Sequence, residues 1–292
     1  MEVGRSQNRE SQSVAFEILG SSNLLSRTDI QKFLANEVRN AMTPTATVNQ
    51  IGIGKLAIRS LGNLRKNATP DAIQALVDAL DSATLRPSSM VALEWVGNGV
   101  TKGPAHNDPR IINRILSILQ SGDEPLRKTA LVTLANVSSA NLDVAKIVVG
   151  IAASNQESIA MRTIAIKQMS GGYLSDGSMY ESLNFEGKAL VWDTIASCMQ
   201  DENIEIKRRS TQEAIELVVF NRVDRPDLVE LAPKNMADPI LLKEMDGYLG
   251  EFAARFPGAM DRYFSLPKEY QSKRPSFFAM TCAMMADFFL GR

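Results

Sequence analysis

The chain has 292 residues, 45% of them hydrophobic, which is enough to bury a large core without disulfide staples. Lys and Arg total 32 against 33 Asp and Glu, and the balance holds at both ends, with five of each sign in residues 1–50 and ten of each in 221–292. No region makes a polybasic footprint, so nucleic acid and an anionic membrane surface are excluded as expected partners; the two cysteines, Cys198 and Cys282, lie far apart among apolar residues and point to a reducing, cytoplasmic setting.

In chain order, residues 1–10 are polar and predicted to be a disordered tail, with no apolar stretch of the kind a signal peptide needs. Residues 11–50 are expected to hold N-terminal capping helices and a linker. Within them TDIQKFLANEVRNAM places Ile30, Phe33, Leu34, Val38, Ala41 and Met42 on one helical face, and Thr28 with Gln31 has the spacing of a capping box. The linker is TPTATVNQIG, residues 43–52.

Residues 51–220 repeat. LRKTALVTLANV puts Arg127, Ala130, Leu134 and Val137 on one stripe of a helix, and the same steps of three, four and three recur four more times. The other rows are Gly54/Ala57/Leu61/Leu64, Ser89/Ala92/Val96/Gly99, Arg162/Ala165/Met169/Gly172 and Arg208/Thr211/Ile215/Val218. From Ala57 through Ala92, Ala130 and Ala165 the intervals are 35, 38 and 35 residues, with 46 to Thr211, a period that means supersecondary units stacked in line. Between the rows run second amphipathic segments, from Thr69, Asp108, Leu142 and Gly187. Pro70, Pro109, Pro125 and Pro239 each follow Thr, Asp or Glu, as a first-turn proline follows a cap. The predicted fold is therefore all-α, about five helix pairs in a solenoid with capping helices at both ends.

Paired helices of this length, with an Arg–Ala–Leu–Val ladder on the first and proline near its start, resemble HEAT repeats of the armadillo-like class. Gly54 and Ser89 depart from the pattern, standing where rows three to five have arginine. AIRSLGNLRKNATPDAIQALVDAL is also similar in rhythm to the helical module of large lipid transfer proteins of the vitellogenin kind. The HEAT resemblance implies a non-enzymatic scaffold for a protein partner. The second resemblance implies a carrier of lipid or another apolar ligand, and an accessory subunit of an enzyme is a further alternative.

The last interval contains the insertion 170–185, SGGYLSDGSMYESLNF, read as a loop whose Tyr173, Tyr180 and Phe185 are candidate recognition aromatics. The cluster Lys207-Arg208-Arg209 is expected on a solvated helix face. Residues 221–292 are expected to be helices that close the solenoid. In SFFAMTCAMMADFFLGR, Phe277, Phe278, Met280, Met284, Met285, Phe288, Phe289 and Leu290 surround a helix that must be buried. At roughly 1.5 Å per residue it reaches only about 21 Å, short of a ~30 Å hydrocarbon layer, so a cap is expected there, with a homodimer seam as the runner-up.

Signals for chemistry are few. One histidine, His106, cannot supply a metal site or a triad that needs more, and it reads as a loop residue. Gly54-Lys55 lacks the first glycine and the Ser/Thr of a P-loop, since Gln50 and Leu56 stand there, and SDGS has too few oxygen ligands for an EF-hand. No cofactor, metal or catalytic set is expected. The sequons at Asn67 and Asn136 matter only in an exported chain.

The resemblance implies that second helices line the concave side of the stack, so their polar positions are the candidate partner surface. On DPRIINRILSILQ these are Arg110, Asn113, Arg114 and Ser117, opposite Ile111, Ile112, Ile115 and Leu119. Gln74 and Asp78 hold the matching place one repeat earlier, and Lys146 and Asp193 hold it later.

Overall fold

The computed structural model describes residues 27–97, 103–170 and 179–221, together with 235, 238, 240 and 241. The regular elements are α1 Thr28–Ala41, α2 Val48–Gly62, a 3-10 turn Arg65–Asn67, α3 Pro70–Ala79, α4 Arg86–Val96, α5 Pro109–Ser121 and α6 Glu124–Val137. They continue with α7 Leu142–Ala153, α8 Ile159–Ser170, the short α9 Met179–Ser182, α10 Phe185–Cys198 and α11 Ile204–Asn221. No strand occurs among the described residues. This is the all-α, HEAT- and armadillo-like arrangement of helix pairs, with the first three positions of each repeat row falling on α2, α4, α6, α8 and α11. The tail 1–10, Tyr173 and most of the insertion, and the apolar segment 277–290 with nearly all of 221–292 lie outside the described residues.

Local chemistry sets most helix starts. Thr69 and Asp108 accept first-turn N–H groups, from Ala72 at 3.3 Å and Arg110 at 2.9 Å, and Pro70 and Pro109 occupy the first turn where a missing N–H costs nothing. Asp123, rather than Glu124, caps α6 through Leu126 N–H at 3.0 Å. The capping box is not at Thr28 and Gln31: α1 starts after Arg27 with no side-chain cap, whereas Thr47 and Gln50 form a complete box at the start of α2. The segment expected to be linker is thus helical from Val48 onward. Gln31 is buried instead, donating to Asn67 C=O at 2.9 Å and accepting from Thr69 N–H at 2.8 Å, and so clips the turn that leads into α3.

The chain divides into two compact units, one of residues up to Val148 with Ser175–Gly187 and one of Val149–Leu174 with the remainder. In the first unit α2, α4 and α6 pack in one layer and α1, α3 and α5 in the other. Small residues sit where helices cross. A methyl group built on Gly54 would lie 2.3 Å from Ala41 Cβ, one on Gly62 would lie 3.0 Å from Ala92 Cβ, and one on Gly97 would meet Val137 Cγ1 at 2.7 Å. The core is filled by Leu34, Ile58, Leu61, Leu76, Leu93, Ile111, Ile115, Leu131 and Leu134, all fully buried.

An arginine near the start of a first helix ties it to the preceding second helix. Arg127 Nε donates to Leu119 C=O at 2.9 Å and Arg162 Nε to Ala152 C=O at 2.9 Å, placing a cation on carbonyls of a helix C-terminus. In the second row Arg86 does this, donating to Leu80 C=O at 2.6 Å from one turn before Ser89, whose own hydroxyl donates to Leu76 C=O. The missing arginine of that row is therefore displaced rather than lost. At Gly54 no side chain fits, because Ala41 occupies the space.

Glu94 on α4 accepts from Asn136 Nδ2 on α6 at 2.9 Å, and burial pushes its carboxyl above the usual range. A folded value above the unfolded one contributes stability in acid that is lost as pH rises through it. Glu94→Gln keeps the acceptor and removes the charge. It is expected to raise the melting temperature at neutral pH and to leave it unchanged below about pH 4, where both side chains are neutral. Asn136 is also engaged with Val132 C=O at 3.1 Å inside α6, so its sequon is not an open loop.

In the second unit α8 packs on α11. The cluster 207–209 is not a solvated face. Arg208 and Arg209 are half-buried, Arg208 pairing with Asp238 at 2.8 Å and Arg209 with the fully buried Glu213, which also accepts from Ser170. The charges face inward because carboxylates one turn or one loop away await them.

Candidate functional site

The polar positions of the second helices meet across α3 and α5. Gln74 donates to Asp78 at 2.7 Å and accepts from Arg110 Nη1 at 2.8 Å, and Arg110 also pairs with Asp108 at 2.7 Å. The hydrogen bond from Arg110 is the largest influence on Asp108 and holds its carboxyl below the usual range. Arg114 pairs with Asp81, just past the end of α3, and Arg39 of α1 pairs with Asp71 of α3 at 2.5 Å. Asn113 and Ser117 are exposed on the same face of α5, while Ile111, Ile112, Ile115 and Leu119 are buried opposite them. The result is a laced stripe of alternating charge over three successive helices of one layer.

The remaining candidates are distributed differently. Lys146 is exposed on α7 and faces Glu186 at 4.0 Å. Asp193 is exposed on α10 in the second unit. Tyr180 is buried in the short α9, and Tyr173 lies outside the described residues. His106 Nδ1 is 3.2 Å from Gly97 C=O, which ties the loop before α5 to the end of α4. Burial pushes the Cys198 thiol up, the nearby Arg162 charge opposing it, and the sulfur contacts Ala152 C=O at 3.8 Å. No group of three or more His, Cys, Asp or Glu is placed to hold a metal among the described residues.

The opposite layer holds a feature that the repeat reading missed. Between α2 and α4 runs a groove of about 720 Å³ lined by Ile53, Leu56, Pro87, Val91 and Trp95, with Lys55 and Arg59 on its rim. Val91 and Trp95 are 39% and 36% exposed, and Val48, at the start of α2, is 88% exposed. The sequence did hold a signal for it. Ile53 and Leu56 on α2, and Val91 and Trp95 on α4, are apolar pairs three and four apart that fall beside the buried Ala57/Leu61 and Ala92/Val96 stripe rather than on it.

No protein-family description matches the chain, and no curated protein matches its sequence. Among solved structures it is similar to a designed armadillo repeat protein in complex with the peptide (KR)4, at 16% identity and a TM-score of 0.40 over 79% of this chain and 99% of that one. It is also similar to an engineered protein, at 14% identity and a TM-score of 0.29 over 89% of this chain and 95% of the other. No described helix is long and apolar enough to cross a membrane.

Proposed function

We propose that the chain is a non-enzymatic scaffold that binds a protein partner along the polar stripe of its second helices. The observation that carries this reading is the lacing of Gln74, Asp78, Arg110, Arg114 and Asp81 across α3 and α5. Long polar side chains lose rotamer freedom on binding, and hydrogen bonds that already order them reduce that cost. Asn113 and Ser117 add exposed donors and acceptors between the charged positions, and Lys146 is the candidate continuation within the same unit. The polar stripe itself gives an apolar cargo nothing to bury against. Among the described residues the histidine has a backbone partner, and the buried Cys198 is a poor nucleophile with its thiol pushed up.

Affinity capture with crosslinking from the native source tests the reading. The triple variant Arg110→Glu, Arg114→Glu, Lys146→Glu is expected to lose the partner that the unaltered chain retains, because like charges then face Asp108, Asp81 and Glu186 as well as the partner. Undiminished capture by a folded triple variant overturns the assignment to this stripe.

A further inference from the structure

We infer that the groove between α2 and α4 is a second docking site, and that its occupant is an acidic, apolar linear segment of another protein. The inference rests on the scaffold reading only in taking the partner to be protein. The floor is apolar: Ile53, Leu56, Val91 and Trp95 line about 720 Å³, and an exposed cluster of this kind on a helix layer is a site that something covers. Trp95 is the anchor. Tryptophan is enriched among residues that dominate binding energy at interfaces.

The rim decides the chemistry of the occupant. Lys55 and Arg59, one turn apart on α2, are both exposed, and neither has an ion pair or side-chain hydrogen bond among the described residues. This contrasts with Arg39, Arg110 and Arg114 of the other layer, each of which meets a carboxylate. Among the described residues no Asp or Glu lines the groove. Its charge is therefore positive and unanswered, and a segment bearing carboxylates beside its apolar side chains complements both the floor and the rim. Gly52 adds room at one end, since nothing lies within 4 Å of where its side chain would begin.

The test is selection of a phage-displayed random peptide library on the full chain, followed by affinity measurement on the enriched peptides. Enriched sequences are expected to combine Leu, Phe or Trp with Asp or Glu, and to bind more weakly as salt rises. Lys55→Glu with Arg59→Glu, at exposed positions, is expected to weaken binding on the order of tenfold, chiefly in the association rate, and Trp95→Ala on the order of tenfold or more. The rim variant is the decisive one, because Trp95 packs close to Gly62 and its loss also perturbs the layer. No enrichment, enriched peptides without carboxylates, or full affinity in the rim variant overturns the proposal. So does self-association of the chain in sedimentation that Val91→Asp abolishes, which would make a second copy the occupant. Capture lost only in the triple variant on α5 and α7 would sink the groove and leave the scaffold reading standing, and the reverse pattern would do the opposite.

Discussion

Arg162→Ala is expected to destabilise the second unit by about 3–5 kcal/mol, the cost typical of removing one partner from a buried ion pair. Arg162 is nearly buried, pairs with Asp201 at 2.5 Å and donates Nε to Ala152 C=O. Alanine leaves behind a partly buried carboxylate and a helix-end carbonyl that keeps only the weak Cys198 thiol donor. A drop on the order of 10 °C in melting temperature is expected. Replacing both Arg162 and Asp201 by leucine should cost much less than the single change, because the stranded charge is gone. The pH dependence has a definite sign. Burial acts to raise the Asp201 carboxyl, but the Arg162 hydrogen bond, the Asn203 N–H and the nearby positive charges outweigh it, so its folded value lies below the usual one. Such a group contributes stability above its unfolded value, near pH 4, that is lost as pH falls through the folded value. The gap between the thermal melts of the two proteins should therefore narrow in acid, the part due to the lost Ala152 bond remaining, and a penalty for Arg162→Ala that is unchanged at low pH would show that the ion pair is not its source.

Gly54→Ala is expected to cost about 1–3 kcal/mol, although alanine is the better helix former by about 1 kcal/mol. Its methyl would lie 2.3 Å from Ala41 Cβ, where carbon atoms in contact need about 3.5–4.0 Å, and neither group is the flexible end of a side chain. Helices α1 and α2 must then move apart along their whole contact. Ala41→Gly in the same chain restores the space. The double variant should recover most of the loss, with a coupling of about 1 kcal/mol or more in a double-mutant cycle by denaturant unfolding. If Gly54→Ala is neutral or stabilising, α1 does not cross α2 at this point.

Arginine shows where sequence reading and packing part company. Arg127 and Arg162 stand in the repeat register, and their role follows from it. Arg86 stands one turn out of register and yet performs the same bond, because what matters is reach to the last carbonyls of the preceding helix and not a fixed position in a row. Gln31 shows the converse: its local spacing suggests a capping box, but its partners are Asn67 and Thr69, brought to it only when α1 lies against α3. Thr47 and Gln50 had the same local spacing, inside a Thr-rich stretch with one Pro that reads as linker.

By itself the sequence determined the helical class, the five rows and the starts of α3 and α5. These depend on a 3.6-residue period, on a small residue recurring at each helix crossing, and on caps whose donors lie within one turn. It also separated Arg110, Asn113, Arg114 and Ser117 from the buried face of α5, since one helix suffices to define two sides. Only the tertiary structure decided which charges answer one another, because Arg110 and Gln74, Arg114 and Asp81, and Arg162 and Asp201 are 33 to 39 residues apart and meet through stacking. It likewise decided that Glu213 is buried with Arg209, and that Val91 and Trp95 border a groove with Lys55 and Arg59. Whether an apolar residue is covered depends on the neighbouring helix, and no single helix's pattern contains that information.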